Sequence, residues 1–254
     1  MRQNEHGQLG SDARIELQFL GGAALHRDGH PLSGTATRRH PLALLAMLAT
    51  APGHAMSRPK DIGLLWPDAN ESTGRNRLSS TTYTLRKALG PDALTATGDT
   101  LRLARELFEC DLWRFLEAVE AGDHEAAVRA YGGDLLDGHY LADSSLFEER
   151  VAQQRSSLHR SWREAVRALA HAAEQTDRPG SAAHHWQTLA ADDPLDTDVA
   201  TRLLRSLAAA GRPGGRLAAG DLPVVLDVVL LDVNSWPSVS PAHPARPPSL
   251  RIRG

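Results

Sequence analysis

Hydrophobic and polar positions alternate in two textures along the chain, and the change falls near Cys110. Before it, short β-like and helix-like runs interleave. Residues 15–32 alternate loosely through "IELQFLGGAAL" and carry Asp28-Gly29 as a two-residue turn before "HPL", which predicts a β-hairpin. In "RRHPLALLAMLATAPG", Leu44, Leu45 and Leu48 recur at helical spacing. Pro41 falls in the first turn, where proline is tolerated, and Pro52-Gly53 stops the helix. Ser57 is placed to cap a short helix, "RPKDIGLLW", with Ile62, Leu65 and Trp66 on one face. Trp66-Pro67 ends it, because the residue before proline resists the α region. A polar loop over residues 67–73 leads into "TGRNRLSSTTYTLRKALG", whose residues 78, 82, 85 and 89 form one narrow buried stripe closed by Gly90. "LTATGDTLRLA" then alternates on both sides of Gly98-Asp99, predicting a second hairpin.

After Cys110 the pattern becomes helix after helix. "DLWRFLEAVEAG" and "DHEAAVRAYGG" form a short pair around Gly122-Asp123, and a long helix is predicted from about Ser144 to Thr176. "GSAAHHWQTLAADD" from Gly180 and "DTDVATRLLRSLAAAG" follow, with Pro194 starting the last helix. Antiparallel helix pairs of this length suit an α-solenoid, although they share no clean sequence repeat. Residues 212–254, rich in proline and serine, show no amphipathic period and are expected to be disordered. The fold class is therefore mostly α with small β-hairpins.

Composition narrows the setting. The net charge of −3 gives no general reason for a polyanionic partner, so any such partner must meet a local patch. Residues 34–90 hold 8 basic against 3 acidic residues, a net of +5, whereas residues 91–216 hold 14 against 21, a net of −7. That asymmetry fits a nucleic-acid-binding module joined to an acidic one. The single cysteine, Cys110, excludes an intrachain disulfide framework and suits a reducing cytoplasm. No secretory signal opens the chain. The longest apolar run, "LPVVLDVVLLDV", is about half a membrane span, so a cytoplasmic location with no membrane partner is expected.

Between Thr73 and Gly90 the chain carries Arg75, Arg77, Arg86 and Lys87 and no acidic residue. A basic helix face is most often simply solvated, but ordinary solvated helices mix signs to gain i,i+4 pairs. The order hairpin, helix, helix, loop, basic helix, hairpin is that of a winged helix-turn-helix, whose third helix enters the major groove. Arg75, Arg77, Arg86 and Lys87 suit phosphates or guanine, Asn76 suits adenine, and Ser79, Ser80, Tyr83 and Thr84 suit bases or backbone oxygens. Arg58, Lys60 and the free amides of the short helix suit a phosphate. Double-stranded DNA is the partner these residues imply.

The blocks "LLAMLATAPGHAMSRPKDIGLLWPD", "RNRLSSTTYTLRKALG", "CDLWRFLEAVEAGDHEAAVRAYGGDLLDGHYL" and "FEERVAQQRSSL" resemble the bacterial transcriptional activator domain family, typified by the antibiotic regulatory proteins of actinomycetes. The resemblance covers about residues 14–211. It implies an OmpR-type winged helix-turn-helix DNA-binding domain over 14–106 and a tetratricopeptide-like helical activation domain over 107–211, and residues 1–13 before them are expected to be disordered. By the same resemblance the chain is a transcription regulator, with an activator role, that reads tandem repeats near promoters. Its loop over residues 67–73 would face RNA polymerase. Ser79, Ser80 and Thr81 make the middle of the basic helix less bulky and less basic than in many relatives, so the operator does not transfer. The tail "RPGGRLAAGDLP" stands where relatives continue with an amphipathic helix. We hypothesise a frameshift or truncation there, which sequencing the locus tests.

Other chemistry finds little support. His184-His185 point about 100° apart on a helix with no second cluster at ligand spacing, so no metal is expected. Asp192, Asp193, Asp196 and Asp198 lack calcium-loop spacing and read as helix caps. No P-loop, GxGxxG or Gly-x-Ser-x-Gly motif occurs, and neither an enzyme nor a cofactor is expected. Trp113, Tyr131, Tyr140 and Trp162 read as core. The helical half suits dimerisation, polymerase contact or effector binding equally. The rival reading is an interaction scaffold whose winged helix no longer binds DNA.

Overall fold

The computed structural model describes residues 14–211; the expectations for residues 1–13 and 212–254 lie outside them. The described residues open with three short strands, β1 (Ile15–Gln18), β2 (Ala24–Arg27) and β3 (His30–Pro31), paired as an antiparallel meander. The expected single hairpin is thus two. Its foreseen turn is real: Asp28 and Gly29 both have positive φ, 52° and 77°, the mirror-image geometry that matches strand twist.

Helix α1 (Arg39–Thr50) is buried at every position from Pro41 to Ala49, as befits a helix apolar on all sides. A three-residue strand not anticipated from sequence, β4 (Ala55–Ser57), leads into α2 (Arg58–Leu65). Ser57 occupies the cap position, but its side chain accepts no capping bond. Helix α3 (Glu71–Leu89) begins earlier than expected. Asn70 caps it, accepting the Thr73 N–H at 2.9 Å, so Glu71, Ser72 and Thr73 form its first turn and the loop shrinks to residues 67–70. Leu78, Thr82, Leu85 and Leu89 are buried as foreseen, joined by Gly74 and Thr81. A Cβ at Gly74 would lie 2.4 Å from Ile62 Cγ2, so the glycine lets α2 and α3 cross closely.

The second hairpin, β5 (Leu94–Thr97) and β6 (Thr100–Leu103), turns at Gly98-Asp99 as expected and forms a sheet in the order β4-β6-β5. Another strand missed from sequence, β7 (Phe108–Cys110), runs parallel to β1 and completes the order β3-β2-β1-β7. Helices α4 (Asp111–Ala121), α5 (His124–Ala130), α6 (Ser145–Gln175), α7 (Pro179–Asp192) and α8 (Thr197–Ala210) follow. Ser144 caps α6 and Asp196 caps α8, so Pro194 lies in the turn before α8 rather than starting it. Only Asp196 of the suspected caps in this turn caps α8; Asp192 pairs with His159 and Arg163, and Asp196 also meets Arg163 and Arg167. The described residues are therefore mostly helical, with two small sheets.

One core cluster runs from Ile15 to Ala165 through both halves, and a smaller one joins the end of α6 to α7 and α8 around Trp186. The halves also interlock through backbone. The Asp111 carboxylate accepts the N–H groups of Phe19, Leu20 and Leu112. Gly21 donates to Asp134 O at 2.9 Å, and Leu136 donates to Phe19 O at 2.7 Å. Beside these bonds a Cβ on Gly21 would meet Gly132 O at 2.3 Å, a contact only glycine permits. At a second seam, Ser144 Oγ donates to Leu64 O at the end of α2, and His139 Nε2 lies 3.0 Å from Arg39 O. Trp113 is buried, with Nε1 donating to Ala49 O, and Tyr131 stacks on Trp162. Tyr140, expected in the core, is 51% exposed beside Arg155.

Candidate nucleic-acid interface

At 100° per residue, the non-core surface of α3 divides into three strips. Arg75, Ser79 and Arg86 share one flank, Asn76, Tyr83 and Lys87 form the crest, and Arg77, Ser80 and Thr84 take the far flank. Thr84 and Arg86 are half-buried and the rest are exposed, Tyr83 by 68%.

The near flank faces a cleft of about 350 Å³ between α2, α3 and the β5–β6 turn. Arg58, Arg75, Ser79, Tyr83 and Arg86 line it, with Asp99 on the hairpin side. Lys60, Asn76, Arg77, Ser80, Thr84 and Lys87 do not line it. Arg77 is close enough to help depress the pKa of His40, which burial chiefly lowers, so it lies toward the first turn of α1. His40 itself stacks on Trp66 with ring centroids 5.2 Å apart and planes 7° from parallel.

Three features of this surface escaped the sequence reading. Glu71 Oε1 lies 2.5 Å from Arg75 Nη2, so the acid-free stretch has a carboxylate one turn ahead of it. Arg86 Nε donates to Leu94 O at 2.8 Å, fixing that guanidinium against the start of β5. The start of α2 is not the open amide cluster foreseen: Arg58 N–H is donated to Asp99 O at 2.7 Å, and Pro59 has none to give. The Asn70 cap signal was present in the sequence and would have brought Glu71 into the helix. Nothing local announces the Arg86 or Arg58 contacts, which join distant segments.

Beneath the surface, Asp61 on α2 is 1% exposed and neither carboxylate oxygen has a hydrogen-bond partner. Burial raises its pKa to about 7, against a lowering by Lys60. Cys110 is buried and its thiol is pushed up to about 12, chiefly by desolvation, which leaves it unreactive. Among the described residues no cluster of three metal-ligating side chains occurs, and no helix is long and apolar enough to cross a membrane.

No protein-family model matches this chain, and no curated protein matches it. Among solved structures it is similar to Mycobacterium tuberculosis EmbR in complex with a low affinity phosphopeptide, with a TM-score of 0.61 and 24% sequence identity. The match covers 90% of this chain and 63% of the EmbR chain, so the chain spans less than two thirds of that protein's length. At this identity the likeness is one of fold.

Proposed function

We propose that the chain is a DNA-binding transcription regulator in which α1, α2, α3 and the β5–β6 hairpin work as a winged helix-turn-helix. The observation that carries this reading is the surface of α3: Asn76, Tyr83 and Lys87 on an exposed crest, flanked by a cleft holding Arg58, Arg75 and Arg86. With α3 in a major groove, Asn76 and Tyr83 on the crest reach base edges while Lys87, Lys60 and the flanking arginines reach phosphates. The resemblance of the sequence blocks to bacterial transcriptional activator proteins and the fold likeness to EmbR support the same reading. The helical half then serves protein contacts, and the short loop over residues 67–70 is offered to RNA polymerase. A second copy of the chain on an adjacent DNA repeat fits the same scheme. We retain the division into a DNA-binding unit over 14–106 and a helical unit over 107–211.

The test is fluorescence anisotropy of the chain with DNA from upstream of its own and adjacent genes, against scrambled DNA, across a salt series. Sequence-dependent binding that weakens with salt is expected. Lys87→Ala should lower the slope of log affinity on log salt by about one, the loss of one phosphate contact. Lys87 is a cleaner probe than Arg86, whose removal also frees β5 from α3. Weak binding equal on both duplexes and insensitive to Lys87→Ala would reject the DNA reading and leave the scaffold reading in its place.

A further inference from the structure

The charges around the cleft are not equally available. Arg86 is anchored by Nε to Leu94 O. Arg58 has no carboxylate within 4.0 Å among the described residues. Arg75 alone of the three carries a carboxylate of its own, Glu71, four residues earlier on the same helix. The Arg75 and Glu71 side chains are 70% and 78% exposed. An ion pair so open to water is weak and readily exchanged. Glu71 is also the acid of the first turn of α3, where the helix amide ends favour a carboxylate.

We propose that Glu71 competes with DNA for Arg75: it pairs with the guanidinium in the free protein, and binding exchanges that partner for a DNA phosphate. The inference rests on the DNA-binding reading above and adds a regulator of its affinity. Once displaced, Glu71 stays within one helical turn of the bound phosphate, a like charge that offsets part of the gain. Sequence-independent docking, which depends almost wholly on phosphate contacts, is weakened most by such a group. Asp99 lines the opposite side of the cleft, so a second acidic residue lies near the three arginines.

The experiment is a thermodynamic cycle on the full chain with a mixed-sequence DNA duplex, read by anisotropy across a salt series. Glu71→Gln keeps the side-chain shape, and thermal melts of each variant check that the fold is intact. Glu71→Gln is expected to tighten low-salt binding about two- to fivefold and to steepen the salt slope by up to about one. Arg75→Ala is expected to weaken binding, and adding Glu71→Gln to it should change affinity less than about twofold. Two results overturn the proposal: Glu71→Gln leaving the wild-type affinity unchanged, or the same tightening with and without Arg75, which would mark general repulsion. If the wild-type chain binds no duplex even at low salt, the DNA reading itself falls.

Discussion

At Asp61 a carboxylate is held at 1% exposure with both oxygens unpartnered, in the middle of an eight-residue helix that supports the candidate interface. Its folded pKa of about 7 lies above the ordinary aspartate value of 3.8, so the folded state holds the proton more tightly than the unfolded chain. Stability from this group is therefore complete below about pH 3.8 and falls as pH rises to about 7, by up to about 1.4 kcal/mol per unit. His40 and His139 act in the opposite sense. Burial lowers their pKa, so their contribution is complete above about pH 6.5 and is lost as pH falls through their folded values. The difference between wild type and Asp61→Asn isolates the carboxylate. In denaturant titrations the Asp61→Asn variant should be more stable than wild type at pH 8 by more than about 1 kcal/mol, and that advantage should vanish near pH 4. At Gly21 the constraint is steric, with φ +76° and a Cβ position 2.3 Å from a backbone oxygen. Gly21→Ala should cost more than about 2 kcal/mol in the same titration.

Elements with local signals were legible. Ser144 and Thr176 bound α6 within a residue of its observed ends, and Asp28-Gly29 and Gly98-Asp99 mark real turns. The strands β4 and β7 were not legible, because three residues give no usable alternation and their partners, Thr100–Arg102 and Ile15–Leu17, lie far along the chain. The same distance hid the anchoring of Arg86, whereas the solvent-facing crest of α3 followed directly from helical spacing. Between α2 and α3, periodicity found the stripe Leu78, Thr82, Leu85 and Leu89 but not the need for Gly74, since a missing side chain has no period. Gly74→Ala should destabilise by about 1–3 kcal/mol through the clash with Ile62. Urea melts should show a smaller cost for Gly74→Ala when Ile62→Ala is already present, because the offending Cγ2 is then gone.

Across the whole molecule, cohesion is uneven. The larger core crosses from the first sheet to the middle of α6, while α7 and α8 close around a separate cluster centred on Trp186, which also donates to Glu174. Trp186→Ala should melt α7 and α8 ahead of the rest, seen as raised hydrogen exchange there with protection of α1 and α3 retained. A fragment of residues 14–106 lacks β7, Asp111 and Trp113, which pair with β1, Phe19 and Ala49. It should melt well below a fragment of residues 14–121. The bond from Ser144 to Leu64 gives the long helix a fixed start on α2. At 1.5 Å per residue, the 31 residues of α6 make an arm of about 46 Å. If α3 seats in a groove, that arm leaves the duplex at one compass bearing. Whatever touches α7 or α8 is then phased to one face of the DNA: a spacer of about 5 bp between neighbouring sites should abolish cooperation, and one of about 10 bp should restore it.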